Sequence, residues 1–178
     1  VMPVREALRR LEARSFITIQ SNKQIIVNEL TLDHFKQIFE ARLLLEGHAA
    51  KRASKLRSEK SLVELERRMK QMWEVHDEHH LFKRNQQFHR IIYLEARLPV
   101  FMDIIDSLWE RVSPYFYIIS KDEKYWIEKT YMKNHEGMLE AMRRKDPNGV
   151  YKWLKKDLSG AAEVLYAVFE RQRDRVKT

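Results

Sequence analysis

From residue 31 to the end of the chain, apolar residues recur at three- and four-residue spacing, and no run alternates as a strand would. Only four Gly and four Pro occur in 178 residues, while 34% are charged, so little interrupts a helix. Six amphipathic segments follow one another. Thr31 is placed as an N-cap, with Asp33 in the first turn, for a helix running to about Lys55. Ser58 or Ser61 starts a second that ends at Trp73. A third opens at Asp77-Glu78-His79 and reaches Ala96, before the break at Pro99. The fourth spans Val100 to Tyr117, with Pro114 expected to kink it or end it early. The fifth begins at Asp122 and passes through Trp126, Tyr131, Met138 and Met142. Asp146-Pro147 is a cap followed by Pro at the first helical position, and starts a sixth helix to Phe169 with a charged tail expected to fray. The chain is therefore expected to be mainly α, an all-α antiparallel bundle of about six helices with short loops.

The first 28 residues follow a different pattern. Pro3 to Glu12 reads as a short helix with Val4, Ala7, Leu8 and Leu11 on one face and Arg5, Arg9 and Glu12 on the other. Phe16 to Gln20 and Ile25 to Val27 are rich in β-branched residues, and Ser21-Asn22-Lys23-Gln24 lies between them as a turn. A basic helix followed at once by a hairpin is the order of a recognition helix and a wing. A winged helix-turn-helix needs two further helices before these, so residues 1–30 are expected to be the C-terminal part of such a domain. Residues 31–178 form the second domain, with a hinge near Asn28 to Thr31.

The net charge of +8 favours polyanionic partners, but residues 1–30 carry only five Lys/Arg against three Glu, so most of the excess lies on the helical body. There it reads as solvated helix faces. The absence of Cys excludes a disulfide framework and a thiolate metal site, and is compatible with the cytoplasm. No apolar run approaches the ~20 residues of a membrane span. No Gly-rich phosphate loop, GxSxG or HExxH motif is present, so no catalytic arrangement stands out.

Chemistry is sought where apolar stripes turn polar. Asn85 and His89 are four apart, on the face that holds Leu81, Phe88 and Ile92. His135 lies four after Tyr131 and four before Leu139. Asp157 falls on the stripe of Trp153, Leu154, Ala161 and Val164, where a lone carboxylate is costly to bury. Two imidazoles and two oxygens suit a divalent ion such as Zn, Ni, Mn or Fe(II), although an inward His is more often a hydrogen-bonded core residue. His76, His79 and His80, with Asp77 and Glu78, read as an exposed pH-sensitive loop in preference to a second metal site.

Pro3-Val4-Arg5-Glu6-Ala7-Leu8-Arg9-Arg10-Leu11-Glu12 and the hairpin after it resemble the recognition helix and wing of GntR-family transcription regulators. Phe39 to Glu46, Phe88-His89-Arg90, and His135 followed by Leu139-Glu140-Ala141 and Asp146 resemble the helical FCD domain of the FadR branch. The resemblance covers essentially the whole chain. It implies a divalent metal held by Asn85, His89, His135 and Asp157, with Asp157 standing where the family has a further His. It also implies a small organic acid bound beside the metal. Arg42 and Arg111 are the candidates to grip its carboxylate, against the alternative of structural ion pairs to Glu46 or Glu110. At the DNA end Arg5 matches a position that contacts the operator, Arg9 lies one turn on, and Asn22 and Lys23 occupy the wing tip. Relatives carry Arg and Thr before the Pro, where Val1 and Met2 stand here, and the wing Gly is absent.

The reading is of a homodimeric, ligand-responsive transcription regulator, expected to act as a repressor, with operator DNA and a small carboxylic acid as partners. Two other readings start from the same residues. A helical metalloenzyme would use the His and Asp site for turnover, and leaves the first 28 residues unexplained. An interaction module would carry neither metal nor small ligand.

Overall fold

The computed structural model describes residues 2–74, 78–121 and 130–176. Helix α1 (Met2–Ala13) leads into an antiparallel hairpin, β1 (Ile17–Ile19) and β2 (Ile25–Val27). Ile17 pairs with Val27 and Ile19 with Ile25. The hairpin is closed at its base by Asn28, whose amide donates to the Ser15 carbonyl at 2.8 Å and accepts from Thr18 Oγ1 at 2.7 Å. At its tip Asn22 Oδ1 accepts the Gln24 N–H, and Lys23 takes a left-handed φ of 66°. Lys23 thus occupies the conformation for which a glycine is the usual solution.

The bundle comprises α2 (Leu32–Leu56), α3 (Glu59–Trp73), α4 (Glu78–Leu94), α5 (Pro99–Ser120), α6 (Thr130–Arg143) and α7 (Pro147–Val176). Local chemistry sets the ends. Thr31 and Ser58 accept backbone N–H groups of His34 and Ser61, which makes Ser58 the cap of α3. Asp146 accepts from the N–H groups of Asn148 and Gly149 ahead of Pro147. Arg52 of α2 donates to the Ala96 carbonyl, and Arg57, just past its end, to those of Met142 and Arg143, so these cations tie off the chain at the ends of α4 and α6.

Two expectations are corrected. Helix α5 runs unbroken past Pro114 to Ser120. The Glu110 carbonyl, which loses its N–H partner to the proline, accepts from Ser113 Oγ at 2.8 Å instead. Helix α7 continues through its charged tail to Val176. The expected helix start at Asp122, with Trp126, lies outside the described residues, as do His76 and Asp77 and the side chains of Glu78 and His79.

Helices α2 and α7 form the centre, α7 packing on α6 and α2, and α3 on α4. Two apolar clusters divide the interior. Phe35 and Ile38 of α2 join Val112, Tyr115, Ile119 and Leu165 near the hinge. Ala49, Ala50 and Ala53, further along α2, join Leu65, Phe88, Ile105 and Leu154. Between them along α2 the buried residues are Arg42, Glu46 and Gly47, so a charged layer interrupts the core.

Close helix approach at that level depends on Gly137 of α6. A Cβ built there would collide with the Trp153 ring of α7. Gly137→Ala is expected to destabilise the chain by about 1–3 kcal/mol, because the indole sits in a packed inter-helix contact. Gly160→Ala, where an added Cβ meets nothing within 4 Å, is expected to stabilise by about 0.5–1 kcal/mol. Thermal unfolding of the two variants should move the midpoint in opposite directions.

Candidate metal centre

Four helices bring polar groups to the charged layer. Helix α4 presents Asn85, His89 and Tyr93 at successive four-residue steps, so all three lie on one face. Helix α6 presents His135, α7 presents Asp157, and α2 presents Arg42 and Glu46. Glu46, His89 and His135 are wholly buried, and the Asp157 side chain is 9% exposed.

The hydrogen bonds determine where the imidazole protons reside. Arg42 donates to both oxygens of Glu46, through Nε at 2.6 Å and Nη2 at 3.3 Å. The Tyr93 hydroxyl donates to Glu46 Oε2 at 2.6 Å. Its single proton is then committed, so at 3.0 Å it accepts from His89 Nδ1–H. His135 Nδ1 faces two acceptors, the Tyr131 carbonyl at 2.6 Å and Asp157 Oδ1 at 3.6 Å, which puts its proton on Nδ1 as well. Both Nε2 atoms are thereby turned to the centre.

There they meet. The two Nε2 atoms are 3.1 Å apart, Asn85 Oδ1 lies 2.7 Å from His135 Nε2, and Asp157 Oδ2 lies 3.2 Å from His89 Nε2. His89, His135 and Asp157 each offer a ligand atom within 4.8 Å of the others. Electron-pair donors this close repel unless a cation or a shared proton joins them. The spacing fits a first-row ion, since two imidazoles bound at ~2.0–2.1 Å on adjacent positions stand about 3 Å apart. The outer partners fit too, because metal-bound imidazoles commonly donate their other N–H to a carbonyl or a further polar group.

Electrostatics matches this geometry. Burial drives the His135 pKa below its ordinary value, His89 adds to that, and Asp157 and the Tyr131 carbonyl oppose it. Burial alone would raise the Asp157 carboxyl, but His135, His89 and Arg42 outweigh it and hold the group below the usual range. Arg42, stacked 4.4 Å above the Trp109 ring, is held above its ordinary value by Glu46, Tyr93 and Asp157 despite its burial. Aromatic walls surround the centre, with Phe88 edge-on to His135 at 4.9 Å and Trp109 tilted against His89 at 5.7 Å.

All four residues read as metal ligands thus converge. Arg42 reaches the same layer, but its fork is turned onto Glu46. Arg111 does not reach it; the side chain lines a separate cavity at the hinge, because it projects from another side of α5 than Trp109. Glu46 and Tyr93 were missed as members of the site. Their signal was present: Arg42 and Glu46 put two charges on the stripe of Phe35, Ile38, Ala49 and Ala53, and Tyr93 continues the Asn85-His89 step. At the other end of the chain Arg5 and Arg9 are exposed one turn apart on α1, without partners among the described residues.

Residues 37–160 match the FCD domain family. The chain is 24% identical over 174 residues to the HTH-type transcriptional regulator McbR of Escherichia coli (strain K12), covering 96% of this chain and 79% of McbR. The solved structure of E. coli McbR superposes with a TM-score of 0.83 at 22% identity, over 94% of this chain and 85% of that one. A GntR-family regulator from Pseudomonas syringae pv. tomato str. DC3000 gives a TM-score of 0.69 at 20% identity, over 97% and 72%. A metal-free FCD domain, that of TM0439, gives 0.66 at 13% identity, over 81% and 99%. No helix among the described residues is long and apolar enough to cross a membrane. The chain belongs to the FCD domain family.

Proposed function

We propose that this regulator senses a small organic acid at a divalent metal held by Asn85, His89, His135 and Asp157, and that occupancy of the centre sets its affinity for operator DNA. One observation carries the reading: two imidazole Nε2 atoms, an amide oxygen and a carboxylate face one another at 2.7–3.2 Å, with both Nδ1 protons engaged elsewhere. A bound divalent ion supplies a centre of net positive charge, since only one of the four ligands is anionic and Arg42 and Glu46 balance each other. An organic anion is the partner that such a centre draws. The ligand set suits Zn, Ni, Mn or Fe(II), because it mixes imidazole with oxygen.

Operator contact is assigned to Arg5 and Arg9 on α1 and to Lys23 at the wing tip, with Asn22 shaping the turn that presents Lys23. Arg5 and Arg9 are supported by their exposure and freedom from ion pairs. The division into a DNA-reading unit at 1–30 and a sensor at 31–178 places the hinge between β2 and the Thr31 cap. A homodimer is part of the proposal, since operators read by such units are two-fold symmetric. Val100 and Ile104, four apart on α5, stay exposed and suit self-association.

Stripping the chain with a chelator and titrating back Zn, Ni, Mn or Fe(II) should yield one ion per chain and a higher unfolding temperature. At 100 times the Kd the gain is about 2.7 kcal/mol. Small carboxylic acids should raise the midpoint further only when the ion is present. A chain that takes up no ion sinks the sensor mechanism and leaves DNA binding open. Tyr93→Phe should weaken metal affinity ~10–100-fold, because His89 Nδ1–H loses the group that orients it. Asp157→Asn should weaken it by at least as much.

Stability of the stripped chain should depend on pH. His135 has a folded pKa below its ordinary 6.5, so the unfolded chain takes up the proton first as pH falls. The stabilisation is therefore fully present above 6.5 and lost as pH drops below it toward the lowered value. Unfolding temperatures measured from about pH 8 to about pH 5 should fall, and His135→Gln should flatten part of that fall. An unchanged slope in the variant would assign the dependence to other groups.

A further inference from the structure

The hinge holds a second cavity, of about 340 Å³, that the metal centre does not use. Its walls come from both sides of the hinge: Phe16 from the corner after α1, Glu29 and Leu30 from the linker, and Arg111 and Tyr115 from α5. Most of its polar groups are already satisfied. Arg14 pairs with Glu110 at 2.8 Å. The Tyr115 hydroxyl donates to the Thr31 carbonyl at 3.1 Å and meets His34 Nδ1 at 3.3 Å. Both ends of the Asn28 amide are engaged within the hairpin.

Two charges are left over. Neither Arg111 nor Glu29 has a hydrogen-bond or ion-pair partner among the described residues, and the two do not pair with each other. A partly buried guanidinium and an exposed carboxylate thus line one cavity without pairing, together with the apolar side chains of Phe16 and Leu30. An anion alone would meet Glu29, and a cation alone would meet Arg111. The volume is at the small end of the ~300–1,000 Å³ usual for ligand pockets. We propose that this cavity binds a small zwitterion of the α-amino-acid type. Its carboxylate lies on Arg111, its ammonium on Glu29, and its side chain against Phe16, Leu30 and Tyr115.

The consequence is regulatory. A ligand seated there touches the DNA-reading unit and the sensor at once, so it favours the one placement of the hairpin in which both walls are within reach. This input is independent of the metal centre.

The test is calorimetric titration of the chain with each of the twenty standard amino acids. At least one should bind saturably. Its deaminated carboxylic acid and its decarboxylated amine should each bind at least 10-fold more weakly. Arg111→Gln and Glu29→Gln should each weaken binding at least 10-fold. Neither residue holds a structural contact, so both variants should keep the parent's unfolding temperature. Asp157→Asn should leave the affinity unchanged. The proposal is overturned if no amino acid binds, if the carboxylic acid alone binds as tightly, if Arg111→Gln has no effect, or if Asp157→Asn abolishes binding.

Discussion

The site rests on the burial of one carboxylate. Glu46 is wholly enclosed, and an unpaired carboxylate in a helix bundle is costly enough that the fold must answer it. Arg42 answers with a two-point ion pair one turn away, itself laid on the Trp109 face, and Tyr93 answers from another helix with its hydroxyl proton. The Tyr93 bond has the longer reach. A hydroxyl that has given its proton to Glu46 can only accept from His89, and this turns His89 Nε2 toward His135 and Asp157. The direction of one hydrogen bond thus converts a buried acid on α2 into an imidazole orientation on α4.

Placement of that network within the bundle follows from packing. The charged layer interrupts the core between two apolar clusters, so each cluster can be close-packed while the polar groups satisfy one another. Helices α6 and α7 must come close for His135 to face Asp157, and Gly137 provides the space beneath Trp153. Arg52 of α2 and Arg57 just past its end bind carbonyls at the ends of α4 and α6, which ties those helix ends to α2. An ion at the centre would be held by residues from α4, α6 and α7 at once. Binding there can therefore bias helix positions in a way that a ligand on a single helix cannot.

The hinge is the other place where the parts meet. Arg14 and Glu110 pair across it, but both are more than 40% exposed, so the pair contributes little by itself. Tyr115 anchors the start of α2 through the Thr31 carbonyl, and the same side chain belongs to the hinge-side apolar cluster. Residues 1–30 are therefore attached to the helical bundle by a short linker, one surface ion pair and a partly open cavity. Such a junction has few contacts to hold one arrangement, which is what the proposed mechanism requires.

Much of this was legible in the sequence. The six amphipathic segments, the Thr31, Ser58 and Asp146 caps and the helix-to-hairpin order depend on neighbours within a few residues, so local patterns reveal them. Asn85 and His89 stood out by their four-residue step, His135 as an inward imidazole, and Asp157 as a carboxylate on an apolar stripe. Pro114 misled because a local rule was met by a local substitute, the Ser113 hydroxyl. Tyr93 escaped notice, and Glu46 was read only as an alternative partner for Arg42, because their joint role comes from a contact between residues 47 apart in the chain. Arg111 was placed beside the metal because sequence gives a residue's type but not the direction in which α5 turns it. The sequence alone determined that the chain would make helices with polar groups turned inward, since backbone periodicity and capping are local. Tertiary structure decided which polar groups meet, which nitrogens keep their protons, and where Arg111 points, because those depend on the packing of helices that are distant in sequence.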